Sequence, residues 1–149
     1  MKRSFCLVFL FFTISNLVAA QTSPARPSGG DEQTIRELLE EQRQDWNTGN
    51  IEKFMATYWQ NDSLMFIGKS GITYGWQNTL NNYKKSYPDT AAMGKLKFDI
   101  LEAKKLSGIH FFVVGKWHLT RSIGDVGGHF TLLFKKVKNK WVIVADHSS

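Results

Sequence analysis

The sequence predicts an α+β domain in which helices come first and an antiparallel sheet follows. Three observations lead there. Apolar residues recur at helical spacing over residues 31–87. From Lys95 onward the pattern changes to four strand-like segments joined by short polar or glycine-containing turns. No strand-to-helix junction carries a glycine-rich phosphate fingerprint, which argues against a doubly wound nucleotide-binding sheet.

The chain has 149 residues, the size of one domain. Its first twenty read as an export signal. Lys2 and Arg3 give a basic start, residues 5–12 an unbroken apolar run, and Val18, Ala19 and Ala20 a small-residue cleavage site. Cleavage after Ala20 implies a secreted or periplasmic protein. The apolar run is shorter than the roughly 20 residues that span a bilayer, so no stable membrane insertion is expected. Cys6, the single cysteine, leaves with the signal. That excludes a thiol nucleophile, a thiolate metal site and a disulfide. The loss of Lys2 and Arg3 also trims the formal charge of +6 by two. The remaining surplus is ordinary for solubility and no argument for a nucleic-acid partner. Residues 21–30, with two prolines and two glycines, read as a flexible leader, leaving residues 31–149 as the domain.

The first helix is predicted over 31–47. Asp31 or Thr34 is its N-cap, and Ile35, Leu38, Leu39, Gln42 and Trp46 lie near one face. Gly49 ends it. A short helix over 50–59 carries Ile51, Phe54, Met55 and Tyr58. Residues 62–67 read as a strand stopped by Gly68, and Gly71 and Gly75 bracket a short segment containing Tyr74. A third helix over 76–87 carries Leu80, Tyr83 and Tyr87, and Pro88 ends it. Strands follow at 95–105, 109–121, 128–137 and 140–147, each expected to pair antiparallel with the next. Pairing them through their turns gathers Phe111, Val113, Trp117, Leu119, Phe130, Leu132, Phe134, Val142, Val144 and Asp146 on one face. His110, Lys116, His118, Thr120, His129, Thr131, Lys135, Ile143 and His147 fall on the other. The first face must be covered by the helices.

Trp46-Asn-Thr-Gly-Asn50, Tyr58, Asp62-Ser-Leu, Tyr74-Gly75 and the closing Trp141-Val-Ile-Val-Ala-Asp-His-Ser148 together resemble the nuclear transport factor 2-like superfamily. More narrowly they resemble its small secreted SnoaL-like members. The resemblance spans about 33–148. It implies a cone-shaped, cystatin-like roll, with three helices packed in the concavity of a strongly curved antiparallel sheet. It also implies a cavity between the layers and, often, a homodimer through the sheets. Members include isomerases, dehydratases, cyclases and assembly domains, so the fold alone does not choose a function. The ketosteroid isomerase branch implies a carboxylate base where this chain has Phe66 or Ile67. It implies a tyrosine near Gln42 and an aspartate near Phe130. None is present, and proton transfer between carbons needs a positioned base.

The candidate acid–base residues are Asp146 and His147, although neighbours on a strand leave opposite faces. Asp146 alternatively ties the first helix to the sheet through Arg43 or Trp46. Trp46, Tyr58, Tyr74, Tyr83, Trp117 and Phe130 are candidate pocket walls, suited to an apolar or aromatic small molecule. The alternative is that they only fill the core. Asp62 is either a pocket carboxylate or a turn cap. His118, Thr131 and His147 are expected side by side across three strands, but no metal-ligand spacing supports a metal site. No cofactor is implied. Lys135, Lys136, Lys138 and Lys140 surround a hairpin turn, as edge-protecting lysines do.

Overall fold

Helix α1 (Asp31–Asn47) buries Ile35, Leu39, Gln42 and Trp46. Steps of four, three and four residues keep these side chains on one stripe. The structure is a computed structural model and describes residues 30–149. The expected signal at 1–20, with Cys6, and the expected leader up to residue 29 lie outside the described residues. Gly49, at φ 80, follows α1 in left-handed backbone, where the absence of a Cβ removes the strain. The Asn50 side chain then accepts from Lys53 N–H and caps α2 (Ile51–Met55). This helix is shorter than the periodicity predicts. Tyr58 leaves it in extended backbone that bridges Ile143.

Strands β1 (Met65–Gly68) and β2 (Gly71–Tyr74) form a tight hairpin. Helix α3 (Trp76–Ser86) follows, with Thr79 and Leu80 buried. A single turn of helix, α4 (Thr90–Met93), was not predicted. Its cap is Asp89, whose carboxylate accepts from Ala92 N–H at 2.8 Å. Four residues are too few to show a helical period. The meander β3 (Lys95–Ser107), β4 (His110–Thr120), β5 (Val126–Val137) and β6 (Lys140–Ser148) completes a curled six-stranded sheet of order β2-β1-β6-β5-β4-β3.

The meander pairs antiparallel as expected, but β1 joins β6 in parallel, with Phe66 opposite Asp146. Register also differs in β6. Phe134 faces Ile143 while Leu133 faces Ala145, so the ladder slips at Val144. This bulge puts Trp141 and Ile143 inside, where alternation from Asp146 had assigned Val142 and Val144. Asp146 remains inside because the slip restores its phase. Further slips in β3, at Ile100/Glu102 and Lys105/Ser107, bend the opposite edge of the sheet.

The α1 N-cap is Gly30, with neither Asp31 nor Thr34 in that role. The Asp31 carboxylate instead accepts from Lys136 Nζ at 2.7 Å, and from Lys105 Nζ and Trp141 Nε1 at 3.1 Å. The start of α1 is thereby fixed to three strands. At its other end Asn47 pairs with both backbone groups of Leu96. The core lies between α1–α3 and the concave sheet face. It joins Ile35, Leu39, Phe54, Phe111, Val113 and Phe134, among others. Each such side chain contributes about 1.5–3 kcal/mol on burial.

Candidate functional site

The core does not fill the concavity. A cavity of about 1050 Å³ remains between helices and sheet. Its walls include Trp46, Tyr58, Tyr83, Trp117, Phe130 and Asp146, six of the nine candidate site residues. Asp62, Tyr74 and His147 are not in its walls. Asp62 is exposed in the turn before β1, and that turn is closed by Asn61, whose side chain accepts from Ser63 N–H at 2.9 Å. Tyr74 is 59% exposed on the edge strand. His147 is exposed on the outer face, opposite Thr131. His118 lies opposite Gly127, so it is not beside that pair and is bonded instead to Asp125. Among the described residues no three His, Cys, Asp or Glu side chains converge on a metal position.

In the cavity wall, Asp146 accepts two hydrogen bonds. Tyr58 Oη donates to its Oδ2 at 2.6 Å and Ser148 Oγ to its Oδ1 at 2.7 Å. Trp46 bonds instead to the Met93 carbonyl and Arg43 to Glu40, so neither holds Asp146. Burial pushes the Asp146 carboxyl up to about 6, against the opposing pull of these two donors and of the His147 charge. The Tyr83 phenol lies close enough to Tyr58 and Asp146 to feel both. Both phenols are driven well above their ordinary value, first by burial and then by the Asp146 charge. The result is a carboxylate bonded to the Tyr58 and Ser148 hydroxyls, with the Tyr83 phenol near by, in a wall that also carries Trp46, Phe54, Phe66, Trp117 and Phe130. Such a group can take a proton from a bound molecule or hold a polar substituent of it.

Sequence reasoning missed the Tyr58–Asp146 pair. The two residues are 88 positions apart and no spacing links them. The only available signal was that each had been assigned to an inward face. Gln42, Phe66 and Phe130, at the positions where an isomerase resemblance would require tyrosine and two carboxylates, do line the cavity. Their chemistry is amide and hydrocarbon. Gln42 is engaged structurally, its Nε2 donating to the Phe54 carbonyl at 3.2 Å.

Trp117 supplies one more polar feature. Its Nε1 is buried and has no hydrogen-bond partner among the described residues. The same ring stands beside Gly128, where a Cβ would collide with the Ser149 backbone and come within 3.2 Å of Nε1.

The sequence matches no protein-family model and no curated protein. Solved structures are similar. An NTF2-like protein of unknown function from Shewanella oneidensis MR-1 is 45% identical, with a TM-score of 0.76, over 78% of this chain and 97% of that one. An NTF2-like protein of unknown function from Pseudomonas putida KT2440 is 15% identical, with a TM-score of 0.64, over 79% and 84%. A ketosteroid isomerase-like protein from Erwinia carotovora atroseptica is 16% identical, with a TM-score of 0.63, over 80% and 95%.

Proposed function

Because this chain belongs to the nuclear transport factor 2-like superfamily, we propose that it works as that fold permits, as a small-molecule-binding domain with its ligand between helices and sheet. The observation that carries this reading is the buried Asp146 in the wall of an open, aromatic cavity. A core built only for stability favours hydrocarbon at such a position, since burying an ionisable group is unfavourable without compensation. Asp146, Tyr58 and Tyr83 would hold a polar substituent while Trp117 and Phe130 pack against the ligand's flat body. Native mass spectrometry on gently purified protein tests this. A retained small molecule, lost on Asp146→Asn, supports it. Protein that stays free of ligand and fails to bind apolar aromatic compounds overturns it.

The second reading is an isomerase, dehydratase or cyclase in which Asp146 is the general acid or base. The raised carboxyl favours it, since a group near 6 exchanges protons readily at neutral pH. His147 drops out of that scheme because it faces away from the cavity. Turnover surviving Asp146→Asn would exclude this reading.

Two further parts of the proposal concern setting. Export, with cleavage after Ala20, is supported by the basic, apolar and small-residue pattern of the first twenty residues. Homodimerisation through the outer sheet face is supported by Phe112, Val114, Leu133 and Val142, half-buried apolar side chains on the side away from the helices. Peptide mapping of the mature N-terminus and sedimentation of the purified protein test these separately.

A further inference from the structure

The charged side chains of the cavity wall are unevenly placed. Asp146 is the sole acidic side chain in the wall among the described residues, and both its oxygens already accept hydrogen bonds. The cations are Lys69, Lys85 and Arg121. Lys69 sits in the exposed β1–β2 turn and Lys85 on the exposed last turn of α3. Being both exposed and in the wall, they mark its opening. Neither has an ion-pair partner among the described residues. The neighbouring Lys84 does, pairing with Glu52. Arg121 anchors its own turn, its Nε donating to the Gly124 carbonyl at 2.7 Å. The side-chain charge that stands where a ligand would emerge is therefore positive.

We infer that the cavity takes an anionic aromatic molecule, one with a flat apolar body and a carboxylate or sulfonate held at the opening by Lys69 and Lys85. This rests on the small-molecule reading above and names the ligand class for it. The aromatic walls take the body. The lysines attract the anion and orient it outward, so the molecule sits in one direction only. A neutral molecule of the same shape keeps the wall contacts and loses the contribution of the opening. Exposed ion pairs are weak one at a time and sensitive to salt, which gives the attraction a measurable signature.

Two dyes of nearly the same body separate the ideas: anionic 1-anilinonaphthalene-8-sulfonate and neutral N-phenyl-1-naphthylamine. Each is titrated against the purified protein, followed by dye fluorescence and quenching of the tryptophans. Lys69→Gln/Lys85→Gln should weaken the sulfonate about 2- to 30-fold, the range two exposed ion pairs supply. The neutral dye should be unaffected. Lys138→Gln/Lys140→Gln removes the same charge from a distant turn and should change neither dye. Raising the salt should weaken only the sulfonate, and only in protein that retains Lys69 and Lys85. If both dyes bind but Lys69→Gln/Lys85→Gln leaves the sulfonate unchanged, or if the distant pair weakens it equally, the anion preference is wrong and the pocket reading survives. If neither dye binds, the pocket reading fails and the inference falls with it.

Discussion

Tyr58 Oη and Asp146 Oδ2 are 2.6 Å apart, and this hydrogen bond adds a side-chain tie to the backbone bridge that joins the exit of α2 to β6, the strand that also pairs with β1. It places a phenol donor on a buried carboxylate, so the folding of the helical layer and the protonation of the cavity depend on each other. Removing the donor while keeping the ring tests that dependence. Tyr58→Phe should destabilise the fold by about 1–3 kcal/mol at pH 7.5, the effect of leaving a buried acceptor unmatched. Urea unfolding measures it, and a loss below about 0.5 kcal/mol would show that water replaces the phenol without penalty.

Asp146 gives stability a pH dependence of unusual sign. Its carboxyl stands at about 6 in the folded chain against an ordinary 3.8. The folded state therefore binds the proton more tightly than the unfolded one. Its contribution is fully present below about 3.8, is lost as pH rises toward about 6, and is level beyond. A shift of about two units corresponds to about 3 kcal/mol. Comparing unfolding of the natural chain and Asp146→Asn from pH 4 to 7.5 isolates this group. The difference between the two should grow in favour of the variant across that window. A constant difference would mean that Asp146 is not the titrating residue.

Asp31 behaves oppositely. The Lys136, Lys105 and Trp141 donors hold its carboxyl down at about 2. Its stabilisation is present above about 3.8 and disappears as pH falls through about 2. Asp31→Asn should lower the unfolding temperature near neutrality, with the deficit shrinking below pH 4. An equal deficit at pH 2.5 and pH 7 would point to the loss of helix-start geometry in place of charge.

Gly115 faces Phe130 directly in the ladder, and the Phe130 ring lies where a Cβ would stand. Any side chain there must displace that ring, which also packs edge-on against Phe98 at 5.4 Å. Gly115→Val should destabilise by about 1–3 kcal/mol, as overpacking does. It should also change ligand affinity, because Phe130 lines the cavity. Unchanged stability with unchanged near-ultraviolet dichroism would show that the ring moves freely.

The α1 stripe was legible because four buried residues fall at helical steps and Gly49 stops the pattern. The meander was legible because short turns force neighbouring strands together. Long-range relationships were not. The parallel pairing of β1 with β6 links segments nearly eighty residues apart, and no local rule announces it. The bulge at Val144 hides in an unbroken apolar run, Trp141-Val-Ile-Val-Ala, where either phase looks equally apolar. Tyr74 was misplaced for a related reason. Its aromatic ring suggested burial, yet Tyr74 ends the short edge strand β2 and is left exposed there. Tyr58 and Asp146 each carry an inward assignment, but 88 positions separate them and no local rule brings them together.

The seat of β1 against β6 also bears on timing. Until residues 140–148 leave the ribosome, β1 and β2 have no sheet to join and Tyr58 has no carboxylate to meet. Contacts that close so long a loop form late and slowly. A nascent chain of this design keeps β1, β2 and Tyr58 without their partners until β6 has been synthesised.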